Sequence, residues 1–373
     1  MTSSEKALLA LVRIAVNGER CEVREADFAG VDWKAVLSLS VRQSVVGLAF
    51  DAEERLPESC RPRREIVLKW CGYVAMIEGA YSRHKKVIFS LADFYAANGF
   101  RMMLLKGYGL SLNWPVPEHR PTGDIDIFLG SCDANGAPSF GVTPVWQEAD
   151  RVLEQKLGIR VDNSHHHHSV FTYIGTMVEN HYDFINRYAQ RSSRALERQL
   201  KTLISEGWSV HPECPALYLP SDDFNALFLL KHCASHFSAT QMTLRQALDY
   251  LLFVRARHSS IDWTKLYKSL DAFGLRRFAD ILAAIGVDCL GMSAADFPSV
   301  EEDKSLVDRV LADILSPEFK EHENGTLASG LWVKPRRFWS NRWKRLLCSN
   351  DSLLSTFLWS TFAKILKPSH FKD

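Results

Sequence analysis

Apolar residues recur at helical spacing over residues 4–17, where Leu8, Leu9, Leu11, Val12, Ala15 and Val16 fall on one stripe. Ser3 or Ser4 stands where a helix cap is needed. A second helix is expected after Val31, with Asp32 as its cap. A third, long pattern runs from about residue 64 to 98 and stops at Gly99. Residues 1–99 therefore read as a helical N-terminal region.

The texture then changes. Residues 101–105 form a short apolar run after a glycine, the mark of a buried strand. Lys106 to Gly109 follow as a turn or the opening of a helix. Trp114 to Pro121 holds three prolines and reads as loop. Residues 123–129 alternate, with Asp124, Asp126 and Phe128 on one side and Ile125, Ile127 and Leu129 on the other, which predicts a strand with one apolar face. Residues 131–143 are turn-rich, and 148–157 suit a short helix. Residues 170–173 and 176–184 read as two strands about Gly175, the second carrying Met177, Glu179, His181 and Asp183 on one face. From about Tyr188 helical spacing returns, over 222–237 behind Ser221, then 243–257, 263–273, 276–285 and 353–366. The pattern predicts an α/β (α+β) fold, with a small mixed-sheet unit at 100–190 set between helical regions at 1–99 and 191–373.

With 373 residues, 46% hydrophobic and 24% charged, the chain has core enough for two or three domains without disulfide or metal staples. A net charge of +1 argues against a body built to bind polyanions. The charge is uneven, however: from Lys334 onward nine Lys and Arg face two acids, Asp351 and Asp373. The basic tail after residue 330, with its aromatics between Trp332 and Arg345, could meet a membrane surface, RNA or an acidic partner. More commonly such aromatics pack inward while the cations stay wet. The eight cysteines form no C-x-x-C pair, which removes zinc-ribbon and dithiol redox chemistry. With no signal-like start, they read as reduced thiols of a cytoplasmic protein. No apolar stretch reaches the roughly 18 residues of a membrane span.

Asp124 and Asp126, two apart on a strand, point the same way, roughly 7 Å apart at the backbone. Their carboxylates can converge on a pair of divalent ions, the arrangement that suits in-line phosphoryl or nucleotidyl transfer. Oxygen ligands of this kind fit Mg²⁺ or Mn²⁺. A third carboxylate must come from a neighbouring strand. Glu179 is the first choice, and Asp183, further along the same face, is the second. Strand-end Asp pairs are common without catalysis, but two same-face charges in an apolar segment need a reason. Gly123 relieves the backbone just before them.

Taken in order, Leu104-Leu105-Lys106-Gly107, Arg120, Gly123-Asp124-Ile125-Asp126-Ile127 and Val178-Glu179-Asn180-His181-Tyr182 resemble the bacterial "uncharacterised nucleotidyltransferase" family, a branch of the polymerase-β-like nucleotidyltransferase superfamily. Asp32-Trp33, and His232, His236, Arg245 and Asp249, resemble its helical flanks, so the likeness spans about residues 30–260. It implies a mixed sheet with helices, a nucleoside triphosphate (NTP) substrate, and Asp124, Asp126 and Glu179 as the catalytic, metal-binding acids. Lys106 and Gly107 fall where the superfamily places a phosphate-cradling Gly-Ser at a helix start, but this chain has Gly107-Tyr108. With that hydroxyl missing, the triphosphate would rest on Lys106, Arg120 or backbone N–H groups. Nucleotide contact is thus expected at Lys106, Gly107, Arg120, Gly123 and His181.

Each of these has a plainer reading. Lys106 can be a solvated strand end, Arg120 can pin the proline-rich loop to a carboxylate, and His181 can be a packed strand histidine. The run His165 to His168 suits either a transition metal or a polar loop tip. His232 and His236 lie four apart on a helix, as metal ligands often do. Arg245 and Asp249, also four apart, suggest an ion pair. The reading that joins most of these features is a metal-dependent nucleotidyltransferase moving a nucleoside monophosphate (NMP) from an NTP to an unknown acceptor: small molecule, protein or RNA. The alternative is a non-catalytic nucleotide-binding or regulatory protein that keeps the fold.

Overall fold

The computed structural model describes residues 1–141, 144–319 and 336–366, the last seven of these by backbone alone. Helix α1 (Ser3–Asn17) starts one residue earlier than the serines suggest. Thr2 is the cap, its hydroxyl accepting from the Glu5 N–H at 3.2 Å while the Glu5 carboxylate accepts from the Thr2 N–H at 2.7 Å. Helix α2 (Trp33–Arg42) is capped by Asp32, as expected. Helix α3 (Val46–Phe50) is a short connector.

Helix α4 (Arg64–Ala97) joins two cores. At 34 residues it is about 50 Å long. Ile66, Trp70 and Val74 on its first half pack with α1–α3, whereas Val87, Ile88, Leu91 and Tyr95 on its second half lie under the sheet.

The sheet is mixed, with strands β1 (Arg101–Leu104), β2 (Ile125–Cys132), β3 (Pro138–Ser139), β4 (His168–Tyr173), β5 (Thr176–His181), β6 (Trp208–His211) and β7 (Cys214–Pro220). Their order is β4-β5-β2-β1-β7-β6, with β3 hanging on the far end of β2. β2 runs antiparallel to β1 and parallel to β5. Strand alternation divides the side chains as the sequence predicts: Ile125, Ile127 and Leu129 join the core beneath α4, and Phe128 joins the core on the other face. Helix α6 (Trp146–Leu157) also covers the α4 side.

Three strands were not legible, and the shortest, β3, lies in the stretch read as turn-rich. The helical reading after Tyr188 holds for α7 (Ser193–Glu206) but misses β6 and β7. β7 pairs in parallel with β1, placing Leu217 beside Met102 and Tyr218 beside Met103, so the sheet continues past residue 190. The later helices α8 (Asp222–Ala239), α9 (Leu244–Arg257), α10 (Trp263–Phe273), α11 (Arg276–Ala284) and α12 (Lys304–Leu315) build the larger core, and α8 and α9 overhang the sheet face that carries Asp126.

Part of the basic tail also turns inward. Trp343 packs edge-on against Phe237 at 5.6 Å, and Lys344 is fully buried with its ammonium 2.5 Å from Asp313. Trp332 lies outside the described residues. No helix among the described residues is long and apolar enough to cross a membrane.

Candidate active site

Strand pairing puts the acids together. On the parallel strands β2 and β5, Asp126 is the direct neighbour of Glu179, and Phe128 of His181. One oxygen of each carboxylate and one His181 nitrogen lie within 4.8 Å of one another. His181 Nε2 is 3.0 Å from Asp126 Oδ1 and 3.3 Å from Glu179 Oε2, and the Lys106 ammonium is 2.7 Å from Asp126 Oδ1. Asp124 sits one residue before β2, at the rim and exposed, outside that close cluster. Asp183, the second choice for the third acid, is engaged elsewhere: Lys201 lies at 2.5 Å and Arg187 at 3.3 Å.

These groups line a cavity of about 610 Å³ between the sheet and helices α8 and α9. Lys106, Gly107, Arg120, Gly123, Asp124, Asp126, Glu179 and His181 all reach it. So do His232, His236 and Arg245 from the overhanging helices.

Electrostatics sort the acids. Burial disfavours a charged Asp126, but Lys106 and His181 outweigh burial and hold its carboxyl far below the usual range. Burial likewise opposes Glu179, and the hydrogen bond from His181 lowers it on balance. Asp124 is raised, first by partial desolvation and then by the negative charges of Glu179 and Asp126. Burial pushes His181 down, but its bonds to Asp126 and Glu179 prevail and raise it. On the facing helix, burial and then Lys106 hold His236 down at about 4, and His232 is held well below its ordinary value for the same reasons.

The donor set calls for a cation. His181 Nδ1 faces the Asp183 carbonyl at 3.2 Å, and a carbonyl only accepts, so Nδ1 carries a hydrogen. In the neutral ring Nε2 then points a lone pair at two carboxylates. Either a second proton or a metal ion must lie between them. Two carboxylates and an imidazole are a chemically suitable set for a divalent ion, and Asp124 at the rim can add a third carboxylate.

The residues at 107 and 108, where a phosphate-holding Gly-Ser is expected, have structural reasons of their own. Gly107 has φ +61°, a conformation that favours glycine, and caps the four-residue helix α5 (Tyr108–Ser111). The next side chain, Tyr108, is buried beneath the sheet, its ring 5.2 Å from that of Tyr81. Position 108 is thus filled by a core side chain that points away from the cavity residues of the other sheet face.

Arg120 pins the proline-rich loop as well as lining the cavity. It grips Asp249 with two hydrogen bonds, 2.8 and 2.9 Å, and Trp114 Nε1 donates to the same carboxylate at 3.0 Å. The expected Arg245–Asp249 pair is thereby corrected, because Arg120 already holds Asp249 in a forked contact. Arg245 instead donates to the Pro121 carbonyl at 3.3 Å, and its Nε is buried without a partner. Sequence reasoning missed Arg245 as a cavity residue; helical spacing alone could not show that α9 faces the sheet. The rings of His232 and His236 meet edge to face with centres 4.5 Å apart, but no third ligand atom joins them within 4.8 Å among the described residues. The histidine run, in contrast, reaches the site: His168 Nδ1 lies 3.8 Å from Glu179 Oε2. A signal for this was present, since a tight hairpin about Gly175 pairs residue 176 with 173 and therefore 181 with 168.

No curated protein and no solved structure matches the chain. A family model does match, over residues 29–291, a span that takes in every side chain of the cavity. The chain belongs to the family described as uncharacterised nucleotidyltransferase.

Proposed function

We propose that this protein transfers a nucleoside monophosphate from an NTP to an acceptor hydroxyl or phosphate, using divalent ions held by Asp126, Glu179 and Asp124. The observation that carries this reading is the side-by-side placement of Asp126 and Glu179 on parallel strands, under a cavity rimmed with cations. Bound Mg²⁺ or Mn²⁺ would supply charge neutralisation at the phosphates and a more nucleophilic acceptor oxygen.

The chain's own groups do the rest. Lys106 and Arg245 offer positive charge to the triphosphate from opposite walls, and Arg120 holds the loop that carries Gly123 and Asp124 against α9. His181 fixes the two inner carboxylates relative to each other. Neutral His232 and His236 add ring surface and hydrogen-bonding capacity without adding charge.

Incubation with labelled NTPs, Mg²⁺ or Mn²⁺ and a panel of small-molecule, protein and RNA acceptors tests the proposal. Wild type should transfer label, and Asp126→Ala should lose at least about a hundredfold of that rate. Equal transfer by both proteins would end the proposal. A second reading, nucleotide binding without turnover, is favoured by the buried Tyr108 in place of a phosphate-holding serine. Its signature would be thermal stabilisation by NTP with no label transferred to any acceptor.

A further inference from the structure

A second group of ligand atoms lies beside the carboxylates. His168 and His181 are directly opposed on the antiparallel strands β4 and β5, so both point to the same face. Their ring centres are 5.2 Å apart. His167, just before β4, brings its ring to 4.1 Å from His168 and 5.8 Å from His181. One nitrogen from each of the three lies within 4.8 Å of the others. Nitrogens that share a tetrahedral zinc ion stand about 3.4 Å apart, so small ring rotations would close the set.

Two further observations favour a ligand here. His167 Nδ1 is buried with no hydrogen-bond partner, which is costly for a polar atom left that way. The backbone of the same residue is fixed, because its carbonyl accepts from the Tyr182 and Asp183 N–H groups at 3.0 Å each. The ring is therefore anchored at the site, unlike one on a free loop tip. His181 already has the outer contact that orients a ligating imidazole, its Nδ1 on the Asp183 carbonyl.

We propose that His167, His168 and His181 form a nitrogen-ligated site for a transition-metal ion such as Zn²⁺, beside the carboxylates of Asp126 and Glu179, with the single free lone pair of His181, on Nε2, turned to the histidine group when that ion is bound. Three imidazoles select against Mg²⁺, which prefers oxygen, and for Zn²⁺ or its neighbours. An ion there ties the start of β4 to the end of β5 and so steadies Glu179, which stands two residues before His181 on β5 and lines the cavity. The site needs neither nucleotide nor Asp124.

The test is a titration of the full chain, prepared without an affinity tag, with Co²⁺ followed by competing Zn²⁺. Visible absorption reports nitrogen ligation of the Co²⁺. Wild type and His165→Gln/His166→Gln should each bind one equivalent, and His167→Gln/His168→Gln should bind at least about tenfold more weakly. Asp126→Asn should keep Co²⁺ affinity within about threefold, although it removes a carboxylate from the neighbouring position. If the double variant fails to fold, His168→Gln alone carries the same expectation. Equal weakening by both histidine pairs would overturn the proposal, since the run would then be a mere chelating tract. Loss of Co²⁺ in Asp126→Asn but not in His167→Gln/His168→Gln would also overturn it, as would the absence of stoichiometric binding. Label transfer in Mg²⁺ plays no part in this readout, so the two readings fail separately.

Discussion

The ammonium of Lys106 sits 2.7 Å from the carboxylate of Asp126, at the position where strand β1 gives way to the cavity. Both side chains are largely buried, so the lysine supplies charge that Asp126 would otherwise lack. It also stands where a divalent ion bound to Asp126 must compete or share. Lys106→Met is expected to destabilise the metal-free protein by up to about 3–5 kcal/mol, because it leaves His181 alone to compensate a buried carboxylate. The stabilisation produced by added Mn²⁺ should be larger in that variant than in wild type, since the ion then meets no competing cation. Urea unfolding with and without Mn²⁺ measures both effects. An identical Mn²⁺ increment in the two proteins would show that Lys106 and the ion do not share Asp126.

Tyr108 stands where the sequence resemblance leads one to expect a phosphate-holding serine, but its side chain belongs to the core. Its ring packs against Tyr81, Phe89 and His211 beneath the sheet. Tyr108→Ser is therefore expected to cost about 3–5 kcal/mol through the cavity it leaves, without improving NTP affinity. Denaturation together with nucleotide titration by calorimetry decides the matter. Tighter NTP binding in the variant would mean that residue 108 faces the phosphates.

His119 fastens the proline-rich loop to the helical region through both ring nitrogens. Nδ1 is 2.6 Å from Asp51 and Nε2 is 3.1 Å from Glu78. The approach is close enough that a Cβ on Gly47 would come within 2.7 Å of the His119 Cβ. The bond to Asp51 raises the histidine above its ordinary 6.5, against the effect of burial. A group raised on folding stabilises the protein fully below its unfolded value and loses that contribution as pH climbs through the folded value. Stability should therefore fall as pH is raised from about 6 to about 9, and Asp51→Asn should flatten that part of the profile. Urea midpoints across the range provide the check. An unchanged slope in Asp51→Asn would remove His119 as its source.

Much of this arrangement was legible in the sequence because it is written in short-range periodicity. The alternation at 123–129 placed Asp126 opposite Ile125 and Ile127, and the alternation about Glu179 placed it with His181. The adjacency of the two strands was not written there. It depends on a parallel pairing between segments some fifty residues apart, which no local pattern encodes. Strands β6 and β7 escaped notice because β6 is short, β7 carries Pro215 and Pro220, and both are set among long helical segments. The roles of Arg245 and Asp249 also depend on tertiary packing. Spacing of four favours a pair on an exposed helix, but a guanidinium from a distant loop offers a better forked geometry.

Binding of Mn²⁺ in the presence of a non-hydrolysable NTP analogue, followed by the fall in free-ion paramagnetic resonance signal, addresses the convergence of Asp126 and Glu179 most directly. Asp126→Asn and Glu179→Gln should each weaken Mn²⁺ binding at least about tenfold, while Asp183→Asn, whose carboxylate is held by Lys201 and Arg187, should leave it unchanged. Wild-type affinity in both Asp126→Asn and Glu179→Gln would contradict the account.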